Sequence, residues 1–304
     1  MGLDVLRGPG LAVFVVFAVV LLSPATALAF GPAAHLETGL EVIAQAGALA
    51  AAVGSLIRRH RDDFLRGILA ADREVAKNAV SYRLHTHNWQ RAFALLRGTR
   101  DESESAFFLG YVCHLAADVV SHNYFVPAKI TESYASRVAR HVYWEMRFDA
   151  RVRERAGPEL LRALGVNAKV HRRFLAEVLP GNLIGPRLNV RLTGIALRVQ
   201  RAKAYRLASA YLDRGSRLLL PPEEEAEVWR LAVDAQLSVL DGLSGARIAG
   251  MDPRGIWSIR LGRTLRQRLR RMDLDKTSSR DEIDLTIANA CEYFRGLVSA
   301  SVEG

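Results

Sequence analysis

The stretch "HLAADVVSH", from His114 to His122, places titratable side chains at every fourth position of a strongly apolar segment. The surrounding residues, "SAFFLGYVCHLAADVVSHNYF", have helical spacing. Four residues turn an α-helix about 40° past a full turn and raise it by about 6 Å, so His114, Asp118 and His122 would share one face. Burying these groups costs free energy unless something satisfies them. The pattern therefore predicts a buried helix whose polar face binds a partner group.

The spacing of the two histidines indicates more than one bound metal ion. His114 and His122 would lie about 12 Å apart along the helix axis, whereas zinc–ligand bonds are only about 2.0–2.2 Å long. Asp118 could share an ion with either histidine or bridge two ions. The motif "HVYWE" adds His141 and Glu145, again four residues apart. Together with His122 they would form a three-ligand site with an open position for water, which is the pattern of catalytic zinc.

Other motifs offer further ligands. "LHTHNW" presents His85 or His87 as a companion of His114, and the spacing alone does not decide between them. Asp72 ends the apolar run "FLRGILAAD" and could join the same site, with helix capping as its alternative role. His35 stands in "FGPAAH". A single buried histidine is usually structural, but six of the eight histidines recur in these motifs, which favours metal binding.

The rest of the chain predicts an all-α fold. Segments such as "LETGLEVIAQAGALAAAVGSLIRRH" and "PPEEEAEVWRLAVDAQLSVLDGL" have helical periodicity, and no stretch alternates convincingly enough to be a strand. The breaker "PGNLIGP", near 180–186, marks a boundary. We expect a multi-helix, zinc-binding catalytic domain over 30–180 and a basic helical C-terminal region over 181–304, packed on the same domain.

The first 29 residues read as a secretory signal. A short n-region precedes the apolar run "LAVFVVFAVVLL" and the A-x-A sequence that ends "SPATALA". Cleavage after Ala29 would make Phe30 the first residue of a secreted or periplasmic protein. An uncleaved membrane anchor is the alternative. The chain has two cysteines, which excludes a disulfide-dense scaffold.

The net charge of +10 lies almost entirely in the second half. Residues 30–150 hold 14 basic and 13 acidic side chains, whereas residues 151–304 hold 27 basic and 18 acidic ones. An arginine-rich half favours anionic partners such as lipid headgroups or nucleic acid, with an ordinary solvated surface as the alternative. Within it, "SIRLGRTLRQRLRRM" predicts a basic amphipathic helix that either lies on an anionic membrane or packs its apolar stripe on the domain.

Taken in order, the motifs "AFGPAAH", "FLRGILAAD", "HTHNW", "FLGYVCHLAADVVSHNYFVP" and "HVYWE" resemble the zinc-dependent prokaryotic phospholipase C family, which is related in fold to the S1/P1 nucleases. The resemblance covers about residues 30–150 and implies an all-helical domain with up to three Zn²⁺ ions. The implied ligands are Asp72, His85 or His87, His114 and Asp118 for one ion; His122, His141 and Glu145 for a second; and the amino group and carbonyl of Phe30 with His35 and Asp118 for a third.

The resemblance also implies an activity. The enzyme would hydrolyse the glycerol-side phosphoester of phospholipids at a membrane surface, releasing diacylglycerol and a phosphorylated headgroup. Asp72 would orient the metal-activated water. Glu145 favours the phospholipase branch, because the nucleases typically end this motif with aspartate. The sequence departs from the family at Phe30, where tryptophan is typical, and before His35, where choline-specific members carry an acid.

Two other functions remain open from the sequence. One is an S1/P1-like single-strand nuclease or 3′-nucleotidase on the same metal site, with nucleic acid as its partner. The other is a non-catalytic zinc-binding protein of the membrane surface. In that case the arginine-rich C-terminal half would contact anionic lipid, and the zinc would be structural.

Overall fold

The computed structural model describes residues 30–73, 85–137, 141–152 and 218–302. Every regular element in these ranges is helical, which confirms the all-α prediction. The α-helices of the described ranges are α1 (Pro32–Ala44), α2 (Ala51–Arg59), α3 (Arg61–Ile68), α4 (Trp89–Arg97), α5 (Glu102–Val120), α6 (Val126–Glu132), α7 (141–152), α8 (Pro222–Gly242), α9 (Ile256–Leu274) and α10 (Arg280–Val302).

Several expectations concern residues outside these ranges. The predicted signal segment, residues 1–29, and the "PGNLIGP" boundary both lie outside the described residues. The division at residue 180 therefore stays a prediction. None of the described helices is long and apolar enough to cross a membrane.

Helix α5 is the centre of the fold. Its side chains are buried without interruption from Ala106 to Val120, as expected for a helix that is apolar on every face. Helices α3, α4 and α8 pack around it. Its first turn is capped reciprocally: Asp101 Oδ1 accepts the Glu104 N–H at 2.7 Å, and Glu104 Oε2 accepts the Arg100 N–H at 2.7 Å. This capping fixes where the helix begins.

Two glycines allow α3 and α5 to cross with their backbones in contact. A Cβ atom on Gly110 would lie 2.0 Å from the Phe64 carbonyl oxygen, and one on Gly67 would lie 1.8 Å from the Phe107 carbonyl oxygen. No other residue type fits at either position without moving a backbone. The close crossing brings Ile68, at the end of α3, against Gly110 of α5. Gly110 lies one helical turn before His114.

The C-terminal end of α5 differs from the sequence prediction. Instead of continuing as an α-helix through His122, the chain forms a π-helical turn over Ser121–Phe125 before α6 begins. Pro127 supplies the physical reason: it has no N–H to donate to the carbonyl four residues earlier, and its ring crowds that carbonyl. The wider turn changes the direction of His122 relative to Asp118, and such turns occur often at functional sites.

The described part of the C-terminal half packs directly on this core. Helix α8 lies against α1 and α5, α9 against α6, and α10 against the π turn and α6. Gly262 permits a close approach of α9, because a Cβ there would lie 2.8 Å from the Pro127 carbonyl oxygen. In α9, Leu269 is fully buried, while Leu261 and Leu265 pack partly buried against the core. The apolar stripe of this basic helix therefore faces protein.

Both cysteines are free thiols. Cys113 is buried in α5, and Cys291 lies in α10 with its Sγ 3.3 Å from Glu132 Oε1. Burial raises the pKa of both thiols, and the negative charge of Glu132 raises that of Cys291 further. Neither thiol is therefore a nucleophile at neutral pH.

The α3–α5 crossing predicts a severe effect of Gly110→Ala. The new methyl group would overlap the Phe64 carbonyl, and separating two packed helices costs about 3 kcal/mol of the free energy of unfolding. Urea unfolding followed by circular dichroism measures this loss. The matched control is Gly296→Ala in α10, where a Cβ meets nothing within 4 Å. That change should leave stability equal or raise it by about 0.5–1 kcal/mol. Equal midpoints for Gly110→Ala and the wild type would contradict the crossing.

Candidate metal centre

The predicted ligands assemble into two clusters of side chains. The Asp118 cluster comprises His35, Asp72, His87, His114 and Asp118, and the Glu145 cluster comprises His122, His141 and Glu145. In three triplets, the atoms available for coordination lie within 4.8 Å of one another: His35–His114–Asp118, Asp72–His87–His114 and His122–His141–Glu145. His114 belongs to two triplets, so the first cluster is continuous.

Asp118 is the centre of its cluster and is fully buried. Its Oδ2 lies 2.9 Å from His87 Nε2 and 3.3 Å from His114 Nε2, and its Oδ1 lies 3.2 Å from His35 Nε2. Burial alone would raise the pKa of Asp118. The three surrounding imidazoles, His114 foremost, outweigh burial and hold that pKa well below its ordinary value. The carboxylate is therefore charged inside the core.

His114 is oriented by the backbone of α3. Its Nδ1 lies 2.7 Å from the Ile68 carbonyl oxygen. Because a carbonyl oxygen only accepts, Nδ1 must donate to it, and Nε2 is left to face the cluster. Such a contact fixes the tautomer and direction of a metal-binding histidine. The ring also stacks on His35 with centroids 3.9 Å apart.

Asp72 lies at the solvent side of the same cluster. Its Oδ1 is 3.4 Å from His87 Nε2 and 3.9 Å from His114 Nε2. Its side chain is 12 % exposed, whereas those of His114 and Asp118 are 0 % exposed. Asp72 is thus the carboxylate of the Asp118 cluster that water can reach. The short helical turn Ala71–Arg73, just after α3, places it there.

The structure brings His87, and not His85, into the cluster. His85 uses its ring differently: its Nδ1 accepts the backbone N–H of His87 at 2.9 Å, and the two rings meet edge to face. His87 Nε2 lies 3.3 Å from His114 Nε2. His85 therefore supports the backbone of the residue that faces the other ligands. The sequence left this choice open.

Phe30 and His35 are held at the cluster by a residue that the sequence analysis missed. Asp149 of α7 accepts the Ala33 and Ala34 N–H groups through one oxygen, at 2.8 and 2.9 Å, and so caps α1 from another helix. The Phe30 ring stacks on Phe148 and meets the edge of His35. These contacts fix the start of the described chain beside His35. Coordination by the Phe30 backbone stays a prediction.

The Glu145 cluster joins the π turn to α7. Glu145 Oε1 lies 2.5 Å from His141 Nε2 and 3.8 Å from His122 Nε2, and the two imidazoles are nearly perpendicular. His122 Nδ1 lies 2.6 Å from the Pro253 carbonyl oxygen, which again can only accept. Nδ1 therefore donates to that carbonyl, and His122 Nε2 is left to face Glu145.

The loop that orients His122 comes from the C-terminal half and was also missed from sequence. Asn123 Nδ2 donates to the Asp252 carbonyl at 2.9 Å, and Trp89 Nε1 donates to the Met251 carbonyl at 2.8 Å. Gly255 has a φ of +52°, and a Cβ there would lie 2.3 Å from the His122 carbonyl oxygen. The sequence "DPRG" signals a turn, but it carries no sign of which helix the turn contacts.

The chemistry of the two clusters fits zinc. Among the described residues, neither oxygen of Asp118 and neither ring nitrogen of His35 makes a hydrogen bond of ordinary geometry, although all four atoms are buried. Leaving buried polar atoms in that state is costly. A cation bound among them removes that cost. Imidazole nitrogens and carboxylate oxygens are the zinc ligands of catalytic sites.

Comparison with known proteins adds one finding. A family model described as zinc dependent phospholipase C matches residues 34–184. Apart from Phe30, the matched range contains every predicted metal ligand, whereas α8, α9 and α10 lie beyond it. No curated protein and no solved structure gives a significant match to this chain.

The contact between Gly255 and His122 predicts that Gly255→Ala weakens metal binding. The methyl group would collide with the His122 backbone and strain a left-handed residue, so the Pro253 carbonyl would withdraw from Nδ1. Loss of such an orienting hydrogen bond lowers metal affinity about 10- to 100-fold. Competition against a zinc chelator, followed by metal analysis of the protein, measures the change.

The matched control for this experiment is Gly250→Ala, five residues earlier. A Cβ at Gly250 meets nothing within 4 Å. This variant should bind zinc as tightly as the wild type. If Gly255→Ala also retains wild-type zinc affinity, the 252–255 loop does not orient His122.

Proposed function

Because the chain belongs to the zinc-dependent phospholipase C family, we propose that it is a zinc-dependent phosphodiesterase of the phospholipase C type. It hydrolyses the glycerol-side phosphoester of phospholipids and releases diacylglycerol and a phosphorylated headgroup. The observation that carries this proposal is the fully buried Asp118 carboxyl group surrounded by three imidazoles. A structural helix core has no need of such a group.

The geometry of the clusters and the family match support the following ligand sets. Asp72, His87, His114 and Asp118 would hold one ion, and His122, His141 and Glu145 a second. A third would take His35 and Asp118 together with the amino group and carbonyl of Phe30, which requires Phe30 to be the first residue. We therefore also propose that residues 1–29 are removed and that the protein is secreted or periplasmic.

When bound, zinc in such a site acts as a Lewis acid on phosphate oxygens and lowers the pKa of a bound water toward 7. The chain's own residues supply the rest. Asp72, the water-accessible carboxylate of its cluster, orients the attacking water and accepts its proton. The carbonyls of Ile68 and Pro253 keep the Nε2 atoms of His114 and His122 directed inward. These contacts preorganise the site before substrate arrives.

Two features support the lipid substrate over nucleic acid. The family match names a phospholipase C, and the resemblance of the sequence to that family includes Glu145 at the end of the "HVYWE" motif. The arginine-rich C-terminal half would add attraction to an anionic membrane surface. In this account the lipid is cleaved at the membrane while the helical core stays outside the bilayer.

Glu145→Gln is expected to remove about one zinc per chain and to lower headgroup release from mixed-phospholipid liposomes by at least about a thousandfold, because the amide loses the charge that binds the ion. Zinc content is measured by metal analysis, and the released phosphorylated headgroup by mass spectrometry. A chelator should abolish release by the wild type, and added zinc should restore it.

The control is His60→Asn, which changes a histidine outside both clusters that contacts Glu102 and Asp63. Its zinc content and activity should equal those of the wild type. Full activity of Glu145→Gln would refute the metal assignment. Zinc-loaded wild-type protein that releases no headgroup from any phospholipid would refute the proposed reaction.

A further inference from the structure

A cleft beside the Glu145 cluster is lined by four arginines that the metal site does not use. It has a volume of about 530 Å³. Its lining residues are Ile130, Arg137, His141, Arg263, Arg266, Gln267 and Arg270. His141 belongs to the Glu145 cluster, so the cleft adjoins the candidate metal centre.

One wall of the cleft is a single face of α9. Arg263, Arg266, Gln267 and Arg270 follow one another at steps of three, one and three residues, which aligns them along the helix. The packing of α9 fixes the position of that face. Gly262 lies against the Pro127 backbone, and Leu269 on another face is fully buried. The arginines are therefore held in place by the apolar side of their own helix.

Three arginines of the cleft have no acidic partner in the described part of the chain. None of the described lining residues is acidic. Among the described residues, Arg137, Arg263 and Arg270 form no ion pair, and the guanidinium of Arg266 donates to the Ser136 carbonyl. Converging like charges in a concave site repel one another and raise the local concentration of anions. Guanidinium groups also match phosphate and carboxylate geometry through paired hydrogen bonds.

We propose that this cleft binds the headgroup of an anionic phospholipid, one whose headgroup carries a negatively charged group of its own in addition to the scissile phosphate. The inference rests on the proposed function and names the substrate class of the same site. With the scissile phosphate at the metal centre, the headgroup extends past His141 toward Arg263 and Arg270. The volume falls within the range of about 300–1,000 Å³ that is typical of small-molecule sites.

The shape of the site favours a headgroup over a membrane surface or a nucleic acid strand. General attraction to an anionic membrane needs only an exposed basic face, which α9 also presents through Arg260 and Arg271 outside the cleft. A concave pocket that ends at a metal ligand suits a compact anion positioned for reaction. The α9 wall lies beyond residues 34–184, so the preference would belong to this chain and not to the family match as a whole.

The test uses short-chain phospholipids below their micelle concentration, so that attraction to a surface plays no part. The zinc-loaded chain that begins at Phe30 is assayed on dihexanoyl phosphatidylinositol monophosphate and on dihexanoyl phosphatidylcholine. The wild type should have the higher kcat/KM on the anionic lipid. The double variant Arg263→Gln/Arg270→Gln should lose about 10- to 100-fold on that lipid, for two charge-assisted contacts, and less than about twofold on phosphatidylcholine.

A matched control separates the cleft from net charge. Arg260→Gln/Arg271→Gln removes the same charge from exposed positions of the same helix that do not line the cleft. This control variant should change kcat/KM by less than about twofold on the anionic lipid and on phosphatidylcholine. Calorimetric binding of inositol bisphosphate, the released headgroup, gives a readout that does not depend on turnover: affinity should fall only in the cleft variant. Thermal unfolding checks that both variants fold.

The results that would contradict the inference can be told apart from those that would contradict the proposed function. Equal losses in the two double variants would assign the effect to overall charge and overturn the inference. Equal losses of the cleft variant on both lipids, or a wild-type preference for phosphatidylcholine, would also overturn it while leaving the proposed function standing. Zinc-dependent cleavage of a single-stranded oligonucleotide with no cleavage of either lipid would instead overturn the proposed function and the inference together.

Discussion

A charged aspartate at the centre of a buried helix is the constraint on which the structure depends. Helix α5 is apolar on every face and has protein on every side, yet it carries Asp118 fully buried. A carboxylate in such a place is tolerated only with compensating positive charge and hydrogen-bond donors. The imidazoles of His35, His87 and His114 surround it, and a metal ion among them would complete the compensation.

The surrounding helices are arranged to present those imidazoles. The glycine crossing of α3 and α5 brings the Ile68 carbonyl to His114. Asp149 ties the start of α1 to α7 and thereby fixes His35 near Asp118. In each case a backbone contact within the core sets the direction of a ring, so stability and ligand geometry have the same origin.

The two halves of the chain contribute differently to the site. The predicted metal ligands lie within residues 30–145, and the described part of the C-terminal half contacts the two clusters without adding a residue to them. Its 252–255 loop holds His122 through Pro253 and Gly255, and its helix α9 forms the arginine wall. The matched family range ends at residue 184, so the 252–255 loop and α9 both lie beyond it.

The sequence predicted what depends on local spacing and missed what depends on distant contacts. The helical class follows from the periodicity of apolar residues. The grouping of His122, His141 and Glu145 was predicted from two four-residue spacings. The structure places these three side chains together. The choice of His87 over His85 depends on backbone direction in a short loop. Gly67, Gly110, Asp149 and Gly255 each matter because of a residue far away in the chain, which no local pattern reveals. The π turn was not predicted, because the strong helical pattern through His122 outweighed the signal of the single proline, Pro127.

The most direct test of the account is to locate the metal. Crystals of the full chain grown with zinc would be measured at the zinc absorption edge, and anomalous difference peaks would be assigned to ligands. The account predicts one peak bonded to an Asp118 oxygen and another bonded to His122, His141 and Glu145, each at about 2.0–2.2 Å. Zinc peaks at surface positions only, with none beside Asp118, would show that the buried carboxylate has a structural role and binds no metal. That result would contradict the central claim.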